Sequence, residues 1–189
     1  MSSIRLVLPA AAGVLLVACG TTPPPPAAPP VAVSVVSTAQ MAESNLSPAS
    51  ASIVSGRLAL VPEAGGVHVA GGIGGLQTLQ QTGVHVDERG GCRAVDASSA
   101  GNHFNPTQQP HGAPGSGPHH LGDMPNLRAD AQGRANVDIH LRGVTLGGGA
   151  ANDIAGRALI VHAQSDDHRS QPAGNAGARI ACGLIRVTK

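Results

Sequence analysis

From about residue 52 onward the chain is cut into short apolar runs that leave no room for an amphipathic helix. The runs are SIVSGRLALVP, GVHVAGGIGGL, GVHVDE, RANVDIHLRGVTL, GRALIVHA and ACGLIRVT. They alternate, favour β-branched residues, and are mostly separated by Gly, Pro, Asn or Asp; a 3.6-residue repeat is absent. Period-two alternation places apolar side chains on one face of a strand, so the stretch predicts an all-β sandwich or barrel. The chain has no Trp or Tyr and a single Phe, Phe104. Its core must therefore be built from Val, Ile, Leu and Ala, which suits sheets better than large aromatic anchors. Two stretches, roughly 90–125 and 163–179, lack such runs and read as long loops. Long loops on a compact domain usually carry function.

The first loop contains HFNPTQQPHGAPGSGPHHLGD, from His103 to Asp123. His103, His111, His120 and Asp123 suit one tetrahedral zinc, since imidazole nitrogens and a carboxylate oxygen are both good zinc ligands. His85 and Asp87 stand at i and i+2 in a strand-like run, so they share a face and can address one ion. His162 closes the run RALIVHA, and Asp166, four residues on, is placed to hold ligand imidazoles from behind. Arg179 stands three residues before Cys182. The remaining histidines are assigned no ligand role. His68 lacks a second donor in GVHVAGG, His119 should point away from its neighbour His120, and His140 and His168 read as surface residues.

The N-terminus reads as an export signal. Arg5 precedes the apolar run LVLPAAAGVLLVA, which is too short to span a bilayer. It ends at Leu16-Val17-Ala18-Cys19, which looks like a bacterial lipobox. Residues 1–18 are then the signal, and Cys19 is the lipidated first residue of a Pro/Ala/Ser-rich tether over 19–50, with the folded domain at 51–189. Within the tether, VAVSVVSTAQ (31–40) has strand propensity and reads equally as a first strand or as apolar linker. Lipidation uses one cysteine; in an exported chain the remaining two, Cys92 and Cys182, are expected to pair. Two free buried thiols are the alternative. A formal charge of +1 with no basic run argues against a nucleic-acid partner.

HFNP…HGAP…HLGD, RALIVHAQSDD and GNAGARIACGLI, in that order, resemble the copper/zinc superoxide dismutase family, of the bacterial exported type. The similarity covers about residues 52–189. It implies an eight-stranded Greek-key barrel of immunoglobulin-like sandwich type, a class of sandwich in which this enzyme is itself counted, with two long functional loops. It implies zinc at His103, His111, His120 and Asp123, and copper at His85, His103 and His162, with His103 bridging both. Asp166 would link the two sites by hydrogen bonds, Arg179 would guide superoxide, and Cys92–Cys182 would be the intrasubunit disulfide. The chain departs from the family at one position: where members have His-Val-His, it has His85-Val86-Asp87. A carboxylate is a harder donor than imidazole and suits Cu(II) better than Cu(I).

Two functions follow as expectations. The first is a superoxide dismutase of reduced activity, anchored by lipid at the periplasmic side of a bacterial outer membrane. The second is a zinc-stabilised, non-enzymatic family member that binds or buffers metal in the envelope. A hydrolytic zinc enzyme is disfavoured, because four protein ligands leave zinc no open position and no His-Glu-x-x-His motif is present. The sequence leaves the oligomeric state open, a homodimer included.

Overall fold

A computed structural model describes residues 36–189. The predicted signal, Cys19 and the proline-rich part of the tether lie outside the described residues. The elements are β1 (Ala42–Pro48), β2 (Ser55–Glu63), β3 (Gly66–Gly74), β4 (Gln81–Thr82), β5 (Val84–Asp87), β6 (Leu127–Arg128), β7 (Ala135–Arg142), β8 (Ala158–His162) and β9 (Arg179–Val187), with a single 3-10 turn at Ser98–Ala100. No α-helix occurs among the described residues. The fold is all-β, as the alternating runs require.

Seven strands form one antiparallel sheet in the order β5-β8-β9-β1-β2-β3-β7. Of the eight strands expected, seven thus carry the main ladder, and two very short ones pair apart from it. The β4–β6 pair does the closing: β4 leads into edge strand β5, β6 precedes edge strand β7, and their pairing ties the two edges together. Alternation decides which side chains enter the core. In β7, Ala135, Val137, Ile139 and Leu141 are buried, while Asn136, Asp138 and Arg142 face out and His140 is half-buried. Leu58 and Leu60 of β2, Val67 and Val69 of β3, and Ile185 of β9 meet them in one apolar cluster that also takes in Phe104 and Met124.

β5 and β8 break the alternation, being buried on both faces. The loops 88–126 and 163–178 lie over their outer side, so His85 and Asp87 are enclosed although they point away from Val84 and Val86. Two titratable side chains, His85 and Asp87, are thus fully covered within one short strand.

One boundary needs correction. β1 lies inside the stretch read as tether, so the folded domain starts before residue 51. Residues 36–40 are not strand; the strand is AESNLSP, whose inward positions are Ala42, Ser44 and Leu46. A polar serine in the middle of the buried face weakens the alternation, and β1 is held instead by pairing with both β2 and β9.

Cys92 and Cys182 form a disulfide, 90 residues apart in sequence, which fastens the loop after β5 to the middle of β9. In the chain-entropy view a loop of this size is worth about 4 kcal/mol. Replacing both cysteines by serine should lower the denaturation free energy of the oxidised domain by about that amount, measured by guanidinium titration. A loss below about 1 kcal/mol would mean that the unfolded chain is not restrained by the bridge.

Candidate metal centre

The centre is assembled by β5 and the loop that follows it. Val86 donates its N–H to Gly122 O (2.9 Å), Phe104 N donates to Val86 O (2.8 Å), and Gly122 N donates to Phe104 O (2.9 Å). These bonds set His85 opposite Asp123 and Asp87 opposite His103. Residues far apart in sequence are thereby brought to one side of β5.

His103, His111, His120 and Asp123 are all buried, and one donor atom from each lies within 4.8 Å of every other. Asp123 Oδ1 is the hub, with the Nδ1 atoms of His103, His111 and His120 at 2.9, 3.1 and 3.3 Å. Its other oxygen accepts the backbone N–H groups of His120 (2.8 Å) and Gly112 (3.2 Å). Burial would raise the Asp123 carboxyl, but hydrogen bonds from His103 and His120 outweigh it and hold the group well below the usual carboxylate range.

The second group is His85, His103 and His162, again buried and within 4.8 Å of one another. His103 belongs to both groups. Its ring lies 3.8 Å from that of His85, centroid to centroid. Asp166 joins the two groups: His85 Nε2 approaches Oδ2 at 2.7 Å and His111 Nε2 approaches Oδ1 at 2.9 Å. Burial again opposes ionisation of Asp166, and the hydrogen bonds from His85, the His168 backbone N–H and His111 keep it ionised.

These contacts assign the protons. With Nε2–H of His85 and of His111 committed to Asp166, each Nδ1 carries a lone pair. His162 commits Nδ1 to Gly177 O (3.2 Å). Nδ1 of His85, His111 and His120 and Nε2 of His103 and His162 are then buried without a hydrogen-bond partner. Buried polar atoms are rarely left unpaired, and five unpartnered ring nitrogens aimed into two clusters fit cations. Nδ1 of His111 facing a carboxylate oxygen at 3.1 Å sets acceptor against acceptor, which a cation between them resolves. The donor sets therefore fit zinc in the first group and copper in the second.

Asp87 does not join the three converging imidazoles among the described residues. The sequence places it on the face of His85, able to address the same ion as a copper donor; in the structure it is instead paired with Arg179, whose Nη2 lies 2.9 Å from Oδ2. The contact is off the hydrogen-bond direction, so it is chiefly electrostatic. The carboxylate shares the face of His85 but is shorter than an imidazole, and the nearest cation claims it. Burial pushes Asp87 up to about 7, with Arg179 pulling the other way. Arg179 also donates Nη1–H to Ala97 O (3.0 Å) and Nη2–H to Gly101 O, both in the loop that the disulfide fastens. An open cavity of about 500 Å³ reaches this point, lined by Glu88, His103, Phe104, His120, Arg157 and Arg179 among others.

Two amides escaped the sequence reading. Asn126 receives the Asp166 N–H on Oδ1 and donates Nδ2–H to Asp166 O, both at 2.8 Å. Gln171 does the same for the backbone of His111, at 2.9 Å each way. Both are loop residues with no patterned neighbours, and no local signal marks them. Gly174 is required for a plainer reason: with φ at 64°, a Cβ there would stand 1.8 Å from Asp166 Oδ1. His119, His68 and His140 lie outside both groups, while His168 packs near His111 and Asp166.

The sequence profile of the family described as Copper/zinc superoxide dismutase (SODC) matches residues 54–185. The chain is 40% identical over 136 residues to Superoxide dismutase [Cu-Zn] 2 of Aquifex aeolicus (strain VF5), covering 70% of this chain and 80% of the relative. It is 41% identical over 106 residues to the superoxide dismutase-like protein YojM of Bacillus subtilis (strain 168), covering 54% of each. A crystal structure of a SOD-like protein from Bacillus subtilis superposes with a TM-score of 0.69 at 33% identity, over 76% of this chain and 97% of that one.

Burial pushes His85 down to about 4 and His162 down to about 3. As pH falls below about 6.5 the unfolded chain takes up protons on these rings that the metal-free fold refuses, so stability falls with pH. Asp87, raised to about 7, acts in the opposite sense, because the fold holds a proton there that the unfolded chain releases. In the metal-free domain, Asp87→Asn should therefore steepen the loss of stability between pH 7 and pH 5 by up to about 1.4 kcal/mol per pH unit. Equal slopes in urea titrations of the two proteins would contradict this.

Proposed function

The chain belongs to the copper/zinc superoxide dismutase family, and from that premise we propose that it converts superoxide to oxygen and hydrogen peroxide, using copper held by His85, His103 and His162 beside zinc held by His103, His111, His120 and Asp123. The observation that carries this reading is the pair of buried donor groups sharing His103, each presenting unpartnered ring nitrogens. Bound copper supplies the one-electron couple by which one superoxide is oxidised and a second reduced. Two superoxide anions and two protons give one oxygen and one hydrogen peroxide.

The chain's own residues do the rest. Arg179 presents its guanidinium at the cavity and attracts an anion, in line with the electrostatic steering known for this enzyme class. Asp87 opposes it by neutralising part of that charge at 2.9 Å. His103, the shared ring, would relay a proton taken up from water at Nε2 to the reduced product whenever that nitrogen is not holding a cation. Asp166 fixes which nitrogens of His85 and His111 are free to bind metal. Asn126 and Gln171 fix the backbones of Asp166 and His111 in turn.

A carboxylate at residue 87 lowers the expected activity in two ways: the cation that draws substrate is partly cancelled, and one imidazole is missing from the copper side. The domain loaded with copper and zinc should accelerate superoxide decay, and Asp87→His should do so faster by about tenfold or more, equivalent to ~1.4 kcal/mol of barrier. Equal rates would show that Asp87 is no handicap. A second reading, a zinc-stabilised domain without catalysis, draws support from the same Asp87–Arg179 pair. It is the correct one if purified protein holds zinc, refuses copper on loading, and leaves superoxide decay unchanged.

We also propose that the domain works in the cell envelope, tethered through lipid on Cys19 to the periplasmic side of an outer membrane. The support is the lipobox-like Leu16–Cys19 segment together with the disulfide, a bond typical of oxidising compartments. Cys19→Ser should move the protein from the membrane fraction to the soluble periplasmic fraction. Unchanged membrane association would refute a lipid anchor.

A further inference from the structure

Away from the buried centre, the outer face of the sheet carries a second meeting of imidazoles and carboxylates. The β3–β7 register sets His68 directly opposite His140. Both project outward, since Val67 and Val69 on one strand and Ile139 and Leu141 on the other point into the core. Directly opposed residues of an antiparallel pair have Cβ atoms about 4.5–5.5 Å apart, within reach of one ion. Glu63, at the end of β2, completes the face: it pairs with Gly66, two residues before His68. Sequence spacing hid this, because the three residues lie on three strands.

Glu63 lies between the two rings. Glu63 Oε1 is 3.5 Å from Nδ1 of His68, and Oε2 is 3.5 Å from Nδ1 of His140. Each contact is close to the roughly 3.3–3.6 Å between neighbouring donors on one zinc; the rings meet different oxygens of Glu63, so binding an ion requires both partly exposed rings to turn toward it. Asp138 Oδ1 sits 2.7 Å from Nε2 of His68. That contact places the proton on Nε2 and turns the Nδ1 lone pair toward Glu63, the carboxylate–histidine–metal arrangement found behind ligand imidazoles. His140 is oriented by packing. Its Nε2 is buried without a partner, and a Cβ on Gly66 would lie 2.9 Å from it. Nδ1 is thus the ring atom left facing Glu63. Both rings are about one-third exposed, so an ion has direct access from solvent.

We propose that His68, His140 and Glu63 form a surface site for a divalent transition metal of the zinc or copper(II) class, with Asp138 orienting His68. Two imidazoles and a carboxylate are borderline donors of the kind these ions take, and calcium or magnesium would be poorly served. Three protein ligands leave room for water, so the ion is exchangeable, unlike one held in the buried centre. The site depends on none of the residues assigned to superoxide chemistry and stands whichever reading of that centre is correct.

The test uses the mature protein with its buried centre loaded and excess metal removed, titrated with zinc chloride by calorimetry at pH 8. That pH is chosen because the Asp138 hydrogen bond raises the His68 pKa and protons compete for the ring. One further zinc per chain is expected for the native protein and none for the H68A/H140A double variant. Asp138→Asn should weaken the site by roughly 10–100-fold. Nitrogen-15 spectra should show zinc-induced shifts at Nδ1 of His68 and His140. Failure of the loaded native protein to take up further zinc would overturn the proposal, as would uptake that persists in the double variant. Loss of superoxide decay with the surface zinc still bound would instead refute only the catalytic reading.

Discussion

The centre depends on the clasp between β5 and the loop that follows it. Residues 88–126 supply little apolar surface; within them Phe104 and Met124 are buried in the main core and Leu121 packs against it. Hydrophobic burial alone cannot offset the entropy of ordering so long a polar segment. What orders it is a set of polar constraints: backbone bonds from Val86 to Gly122 and Phe104, the Cys92–Cys182 bridge, and the donors gathered around Asp123. A cation among those donors would add the largest of these contributions, since it satisfies several buried lone pairs at once.

Asp87 and Arg179 turn the same economy of burial into a functional question. A buried carboxylate must be protonated, paired with a cation or bound to a metal. Here Arg179 serves, at 2.9 Å. The same guanidinium is tied to Ala97 and Gly101, so it cannot leave without loosening the loop that the disulfide fastens. Asp87 therefore has its partner in place, the Arg179 guanidinium, and would have to give it up to serve a cation among the imidazoles. On the proposed function, substrate attraction and metal coordination would draw on a single charge.

Much of this was legible in the sequence because the governing pattern is local. Alternation in RANVDIHLRG predicts β7, and the GVHVDE and RALIVHA runs predict β5 and β8. The donor set His103, His111, His120 and Asp123 could be named from one stretch of loop. What escaped was non-local. β1 has a serine on its buried face and is specified by its neighbours on both sides. β4 and β6 are two residues each and exist only as a pair. Asn126 and Gln171 act on backbones 40 and 60 residues away. The pairing of His68 with His140 is a matter of register, which periodicity within one strand does not contain.

The position of β1 also has a mechanical side. It is the middle strand of the seven, flanked by β9 and β2, and the chain entering it comes from the N-terminal segment. Gln40 N is bonded to Lys189 O and Thr188 N to Met41 O, so the last residues of the chain brace the point of entry. A pull on that segment is not borne by a peripheral strand that could peel away. It loads two ladders at once along their length, and the domain resists as a unit until the centre of its sheet gives way.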